Sequence, residues 1–133
     1  MRVTYDRDDN LRRMVITVTG AFDQAAALEM VAHLAADDAW SYALLYDTRE
    51  LTGAPTMNEL QMIIDRVQIM AARHPRGPVA VVAPDAAVNE IGQMYARRQG
   101  GKVNVAVFRT LEEGRQWLDS AQQDSKSVEP GNS

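Results

Sequence analysis

Short apolar runs alternate along the chain with longer segments of helical periodicity, and this alternation constrains the fold more than any other feature. The strand-length runs cover residues 3–5, 14–20, 43–47, 79–83 and 103–108. Runs such as ALLYD and VAVVA carry apolar residues at successive positions, which is typical of strands covered on both faces. Strands that alternate with helices predict an α/β domain with a mainly parallel sheet and right-handed crossovers.

The first two runs are separated by the polar segment DRDDN, which predicts an antiparallel hairpin at the N-terminus. Every later strand is followed by a helix, so the predicted sheet has about five strands. We expect the domain to cover residues 1–122. Residues 123–133 are polar, and we expect a disordered tail there.

Size and charge restrict the classes of function. A length of 133 residues fits one domain, and the net charge of −4 predicts no nucleic-acid partner. The chain has no cysteine, which excludes disulfides, thiolate catalysis and cysteine zinc sites. No run approaches the ~20 apolar residues of a membrane span, and the charged N-terminal segment does not resemble a signal peptide. We therefore expect a cytoplasmic protein.

Motifs for catalysis or cofactor binding are absent. The chain contains no G-x-G-x-x-G, no Walker-type loop and no G-x-S-x-G elbow. His33 and His74 lie in different predicted helices without the spacing of metal ligands. The sequence thus predicts no enzyme activity, no metal and no cofactor.

The segment from Asp47 to Thr56 is the strongest candidate for a switch or binding loop. Ligands of parallel sheets gather beyond the carboxyl ends of the strands, and a helix N-terminus favours an anion such as a phosphate on Thr56. The residues also support a structural interpretation, and more strongly. Thr56 and Glu59 have the spacing of a capping box, and Asp47 can pair with Arg49. The residues leave both interpretations open.

A second candidate site is a Met-rich surface on the predicted helix over residues 56–73. Met62 and Ile69 lie outside the main apolar stripe of this helix, seven residues apart on one face. Together with Met57 and Met70, they form a possible contact surface for a partner or an apolar ligand. The alternative is that these side chains pack in the core.

Four stretches of the chain carry a family resemblance: MVITVTGAFD, ALLYDTRELTG, GPVAVVAPD and VNVAVFRTLEEGRQWL. In this order, they resemble the SpoIIAA-like group of small STAS-related bacterial proteins. The matching positions include the strand with Asp47 and Arg49, and Phe108 and Trp117 near the C-terminus. The resemblance covers roughly residues 12–119.

The resemblance implies a single-layer β-α superhelix with strands in sequential order and helices packed largely on one face. Relatives in this group include anti-anti-sigma factors, which bind a kinase and are switched by phosphorylation at the start of the second helix. Gly53-Ala54-Pro55-Thr56 replaces their D-S-S-G motif, so the motif itself is lost, and the resemblance implies Thr56 as the residue that could take the place of the phospho-acceptor. We therefore predict a non-enzymatic regulatory or protein-interaction domain that forms a homodimer or binds a protein partner. The alternative is a module that binds an apolar small molecule or lipid, as the similar CRAL-TRIO fold does.

Overall fold

The computed structural model describes residues 1–127, with a hairpin followed by a helix and then three strand–helix units. A 3₁₀ turn at Asp38–Ser41 leads into the third strand. The elements are β1 (Arg2–Asp8), β2 (Arg13–Ala21), α1 (Gln24–Ala36), β3 (Ala43–Thr52), α2 (Met57–Arg73), β4 (Val79–Val82), α3 (Ala86–Gln99), β5 (Val105–Phe108) and α4 (Leu111–Ser127).

The five strands form one sheet in the order β1-β2-β3-β4-β5. β1 and β2 are antiparallel, with Val3 opposite Val18. The other neighbours are parallel, as expected when a helix connects each pair of strands. The predicted fold class is therefore confirmed, including the N-terminal hairpin and the sequential strand order.

Each face of the sheet supports a separate core, because successive residues of a strand point to opposite sides. Leu44 belongs to the larger cluster with residues of α1 and α2, whereas the next residue, Leu45, belongs to a cluster with Leu118 of α4. α3 lies on the first face, where Gly92 packs close to Val107. Three helices thus share one face, as predicted, and α4 covers part of the other.

β3 is longer than the sequence pattern predicts, since it continues past residue 47 to Thr52. Its second half pairs with β2, with Glu50 opposite Thr19 and Leu51 opposite Gly20. This part of the strand contains charged and polar residues, which do not give a core-strand pattern. Backbone pairing with β2 holds it in the sheet, so the predicted loop shortens to residues 53–56.

α4 also extends past its predicted end at residue 122, reaching Ser127. The side chain of Gln122 anchors this helix, because its Nε2 donates to the carbonyl of Leu11 at 2.8 Å and its Oε1 accepts from Arg13 Nη2 at 2.6 Å. The helix therefore includes the start of the segment predicted to be a disordered tail. Residues 128–133 of that segment lie outside the described residues.

Candidate functional site

Asp47 and Arg49 form a paired site on β3. Arg49 Nε lies 2.9 Å from Asp47 Oδ1, Arg49 Nη2 lies 2.9 Å from Oδ2, and the Arg49 backbone N–H donates to Oδ1 at 3.1 Å. Asp47 is buried, while half of the Arg49 side chain is exposed. The hydrogen bonds from Arg49 lower the pKa of Asp47 and outweigh the opposite effect of burial. Asp47 is therefore an ionised carboxylate held by Arg49, and its lowered pKa does not suit the role of a general base.

A β-bulge lies at this pair. Thr17 lies opposite Asp47 and Thr19 opposite Glu50, so β3 has one more residue than β2 over this interval. The Arg49 side chain binds the carboxylate two residues before it, within the same interval. This pairing is the structural interpretation that the sequence offered for Asp47 and Arg49.

Thr56 caps α2 through a complete capping box. Its Oγ1 accepts from the Glu59 backbone N–H at 3.2 Å, and its own N–H donates to Glu59 Oε1 at 2.9 Å. Gly53 begins the approach to this cap with a φ of +94°, a conformation that favours glycine. Thr56 is exposed. A side-chain hydroxyl thus stands at the surface, at a helix N-terminus and beside a carboxylate.

The predicted switch or binding loop is divided into two parts. Asp47 follows Leu45 by two residues in β3, so strand alternation places it on the side of the sheet that α4 covers. The charge of Arg115 in α4 also lowers the pKa of Asp47. Thr56 belongs to the N-terminus of α2, on the other face. Within residues 1–127, no hydrogen bond or ion pair joins Thr56 to Asp47 or Arg49.

Three of the four residues of the predicted contact surface are exposed. The exposed fractions are 40% for Met57, 53% for Met62 and 55% for Ile69. Met62 and Ile69 lie on one face of α2, as their spacing predicted. Met70 is different, because it packs partly buried against the larger core cluster. Its position one residue after Ile69 turns it toward the sheet, so it is not part of the exposed surface.

A buried polar cluster beneath α3 was not predicted. Arg76 donates from Nη2 to the Tyr46 hydroxyl at 2.8 Å, and its guanidinium carbon lies 4.1 Å from the centre of the Trp40 ring. Its Nε and Nη1 are buried without a hydrogen-bond partner in the protein, and Gln99 of α3 is fully buried. Burial raises the pKa of the nearby Tyr95 to about 12. Arg76, Tyr46 and Trp40 are distant from one another in the sequence, so no local sequence pattern predicts the cluster.

The described residues hold no group of three or more acidic or histidine side chains that could bind a metal ion. His33 instead packs against Tyr5, with the ring centres 4.6 Å apart, and His74 caps the C-terminus of α2. None of the helices in this part of the chain has the length and apolar character needed to cross a membrane.

The architecture has counterparts among solved structures. The structure described as the anti-sigma factor antagonist SpoIIAA in its unphosphorylated form aligns with a TM-score of 0.54 and 14% identity, over 90% of this chain and 97% of that chain. The chain has the SpoIIAA-like fold. A structure described as an anti-sigma factor antagonist from Mycobacterium paratuberculosis aligns with a TM-score of 0.50 and 15% identity, over 89% and 95% of the two chains.

No family model and no curated protein matches the sequence. At identities of 14% and 15%, the structural likeness establishes the SpoIIAA-like fold and leaves the function to be argued from the residues. The resemblance seen in the sequence motifs is thus confirmed at the level of the fold.

Proposed function

We propose that this chain is a non-enzymatic regulatory domain that binds a protein partner through the exposed side of α2. The observation that carries the proposal is the exposure of Met57, Met62 and Ile69 on the helix that Thr56 caps. Exposed methionine and isoleucine side chains on one helix are typical of adaptable contact surfaces. The two solved structures compared above are described as anti-sigma factor antagonists, which supports a partner of the protein class.

Charged side chains flank the apolar residues of this surface. Asp65, Arg66 and Arg73 are exposed on α2. Charges around an apolar centre are the usual arrangement of a protein interface, in which the rim stays hydrated and sets the orientation. A second copy of the chain is one candidate for the partner, and the predicted homodimer would use the same surface.

Phosphorylation of Thr56 is the proposed means of regulation. The Thr56 hydroxyl oxygen accepts from the Glu59 backbone, and the Glu59 carboxylate lies against the Thr56 backbone N–H. The helix N-terminus would stabilise a phosphate on Thr56. The phosphate would, however, place roughly two negative charges next to the Glu59 carboxylate. The Glu59 side chain would have to leave the cap, which would change the surface presented by the first turn of α2.

The Asp47–Arg49 pair has a supporting role in this proposal. It fixes the bulged part of β3, and β3 leads directly into the segment before Thr56. We expect the pair to hold the position of that segment, with the exposed half of Arg49 available for a partner. The cytoplasm remains the predicted compartment.

The proposal is tested with a double variant, Met62→Ser with Ile69→Ser, in protein expressed in its own host. We expect this variant to lose the partner that copurifies with the wild type, or to lose a dimer detected by light scattering. Leu11→Ser is the matched control, since Leu11 is 57% exposed on the hairpin turn, away from α2. Unchanged association of the double variant would exclude this surface as the interface.

A further inference from the structure

An apolar cavity of about 150 Å³, partly open to the surface, lies between the sheet and the three helices on its face. Strands and helices both contribute to its wall, which is almost entirely carbon. Its main wall residues are Val18, Tyr46 and Val81 from the sheet, and Ala27, Val67 and Val88 from the helices.

The polar groups of the wall are already engaged with the protein. The Tyr46 hydroxyl accepts from Arg76 Nη2 at 2.8 Å, and Thr48 Oγ1 donates to the Val82 carbonyl at 2.7 Å. The Tyr95 hydroxyl stays neutral, since burial raises its pKa to about 12. A molecule inside the cavity would therefore find few partners for hydrogen bonds and no charge. Water and ions are disfavoured in such a space.

We propose that this cavity is a binding site for a compact apolar ligand, either a hydrocarbon ring or the end of an alkyl chain. Its size supports this assignment, because an engineered apolar cavity of about 150 Å³ in another protein stays dry and takes up benzene. The site uses neither the second sheet face, part of which α4 covers, nor the exposed Met62 and Ile69. Binding in the cavity therefore does not require that the proposed partner surface on α2 be correct.

The cavity also reaches the segment that leads to Thr56. Leu51 at the end of β3 and Pro55 directly before Thr56 both belong to its wall. A bound ligand would contact both ends of the short segment around Gly53. If the proposed partner surface is correct, occupancy of the cavity would alter the cap of that surface, and this consequence alone depends on the proposed function.

The test is a benzene titration of the full chain, followed by NMR of its labelled methyl groups. We expect saturable shifts of the Val67 and Val81 methyls, which line the cavity. The methyls of Leu45 and Leu118 are the internal control, since they are buried on the α4 face. An absence of shifts up to the solubility of benzene would overturn the proposal, and so would equal shifts on both faces.

Two variants distinguish the cavity from nonspecific uptake. Ala27→Leu adds side-chain volume in the cavity and should weaken benzene binding about tenfold or more, because the space is filled. Ala32→Leu is the matched control, as Ala32 is exposed on the same helix, and it should bind like the wild type. If Ala27→Leu does not fold, Val88→Ile makes a smaller change at the wall and should weaken binding several-fold. Wild-type affinity in a folded cavity variant would overturn the proposal.

Discussion

Arg49 binds both carboxylate oxygens of Asp47 from a position two residues further along the same strand, with two contacts of 2.9 Å. The carboxylate is buried and the guanidinium is half exposed. The charge of Asp47 is thus stabilised chiefly by a neighbour that keeps access to water. This arrangement makes the pair a source of pH-dependent stability and a fixed point next to the proposed regulatory segment.

Replacing Asp47 with Asn should lower the free energy of unfolding at pH 7 by about 1–2 kcal/mol, because hydrogen bonds to a charged group are lost. The pKa of Asp47 is lowered in the folded protein. Its contribution is therefore complete above the pKa of an unfolded Asp, about 3.9, and is lost as the pH falls through the folded value. Urea unfolding at several pH values between 7 and 2 should show the wild type and Asp47→Asn converging at the acid end.

Asp119→Asn is the control for Asp47→Asn, since Asp119 pairs with Arg13 at 2.7 Å while two-thirds of its side chain is exposed. We expect a loss of at most about 1 kcal/mol from this exposed pair. Equal effects of the two variants at every pH would contradict the special role of the Asp47–Arg49 pair.

Thr56→Ala should destabilise the protein by about 1 kcal/mol, because the Glu59 backbone N–H loses its cap. Thr56→Ser should retain most of the stability. The comparison is with Thr110→Ala, since Thr110 caps α4 with a similar bond of 3.2 Å to the Glu113 N–H. Thermal unfolding measures the stability of Thr56→Ala, Thr56→Ser and Thr110→Ala relative to the wild type.

A regulatory role for Thr56 requires an effect that Thr110 lacks. We expect Thr56→Glu to change partner binding and Thr110→Glu to leave it unchanged, with binding measured by calorimetry once the partner is isolated. If the two variants behave alike, Thr56 is a helix cap and nothing more.

Gly77→Ala should cost about 3 kcal/mol, at the upper end of overpacking effects. A Cβ at this position would collide with the backbone carbonyl oxygens of Ser41 and Tyr42, which cannot move without disturbing the start of β3. Gly114→Ala should cost less, because its Cβ would approach side chains and no backbone atom: those of Val82, Leu45 and Ala80, at 3.2, 3.6 and 3.7 Å. Chemical denaturation of both variants tests this order, and a smaller loss for Gly77→Ala would refute it.

Arg76→Ala should destabilise the protein more than Tyr46→Phe does. The first change removes both the hydrogen bond to Tyr46 and the stacking on Trp40, whereas the second removes only the hydrogen bond, worth about 1 kcal/mol. In a Trp117→Phe background, the fluorescence of Trp40 should shift in Arg76→Ala and stay close to that of the parent in Tyr46→Phe. An unshifted spectrum in Arg76→Ala would argue against the stacking.

Local patterns predicted much of this structure, and contacts between distant residues account for most of what they missed. The capping box at Thr56 involves residues three apart, so its two partners are visible in the sequence. The second half of β3 has no such signal, because its place in the sheet depends on pairing with Thr19 and Gly20 of β2. α1 illustrates a different difficulty. It is so rich in alanine that residue type alone does not separate its buried positions from its exposed ones: Ala27 is buried, whereas Ala25 and Ala32 are exposed.

The candidate sites also divide into those that local spacing in the sequence predicts and those that depend on contacts between distant residues. The Asp47–Arg49 pair spans two residues and was anticipated as a pairing. The cluster around Arg76 joins Trp40 and Tyr46 across intervals of 30 residues or more, and the cavity depends on how side chains of several elements fit together. A hydrophobic pattern specifies which residues are buried. It does not specify where their packing leaves space.

The strand order β1-β2-β3-β4-β5 has a consequence for how the chain is made. Each strand pairs with the strand synthesised just before it, so the sheet can grow at one edge while the ribosome is still adding residues. The larger core needs α1 and α2, which leave the ribosome early. Arg13 in β2 contacts Asp119 and Gln122 in α4, so the nascent chain can complete this contact only after residue 122 has emerged, more than 100 residues after Arg13.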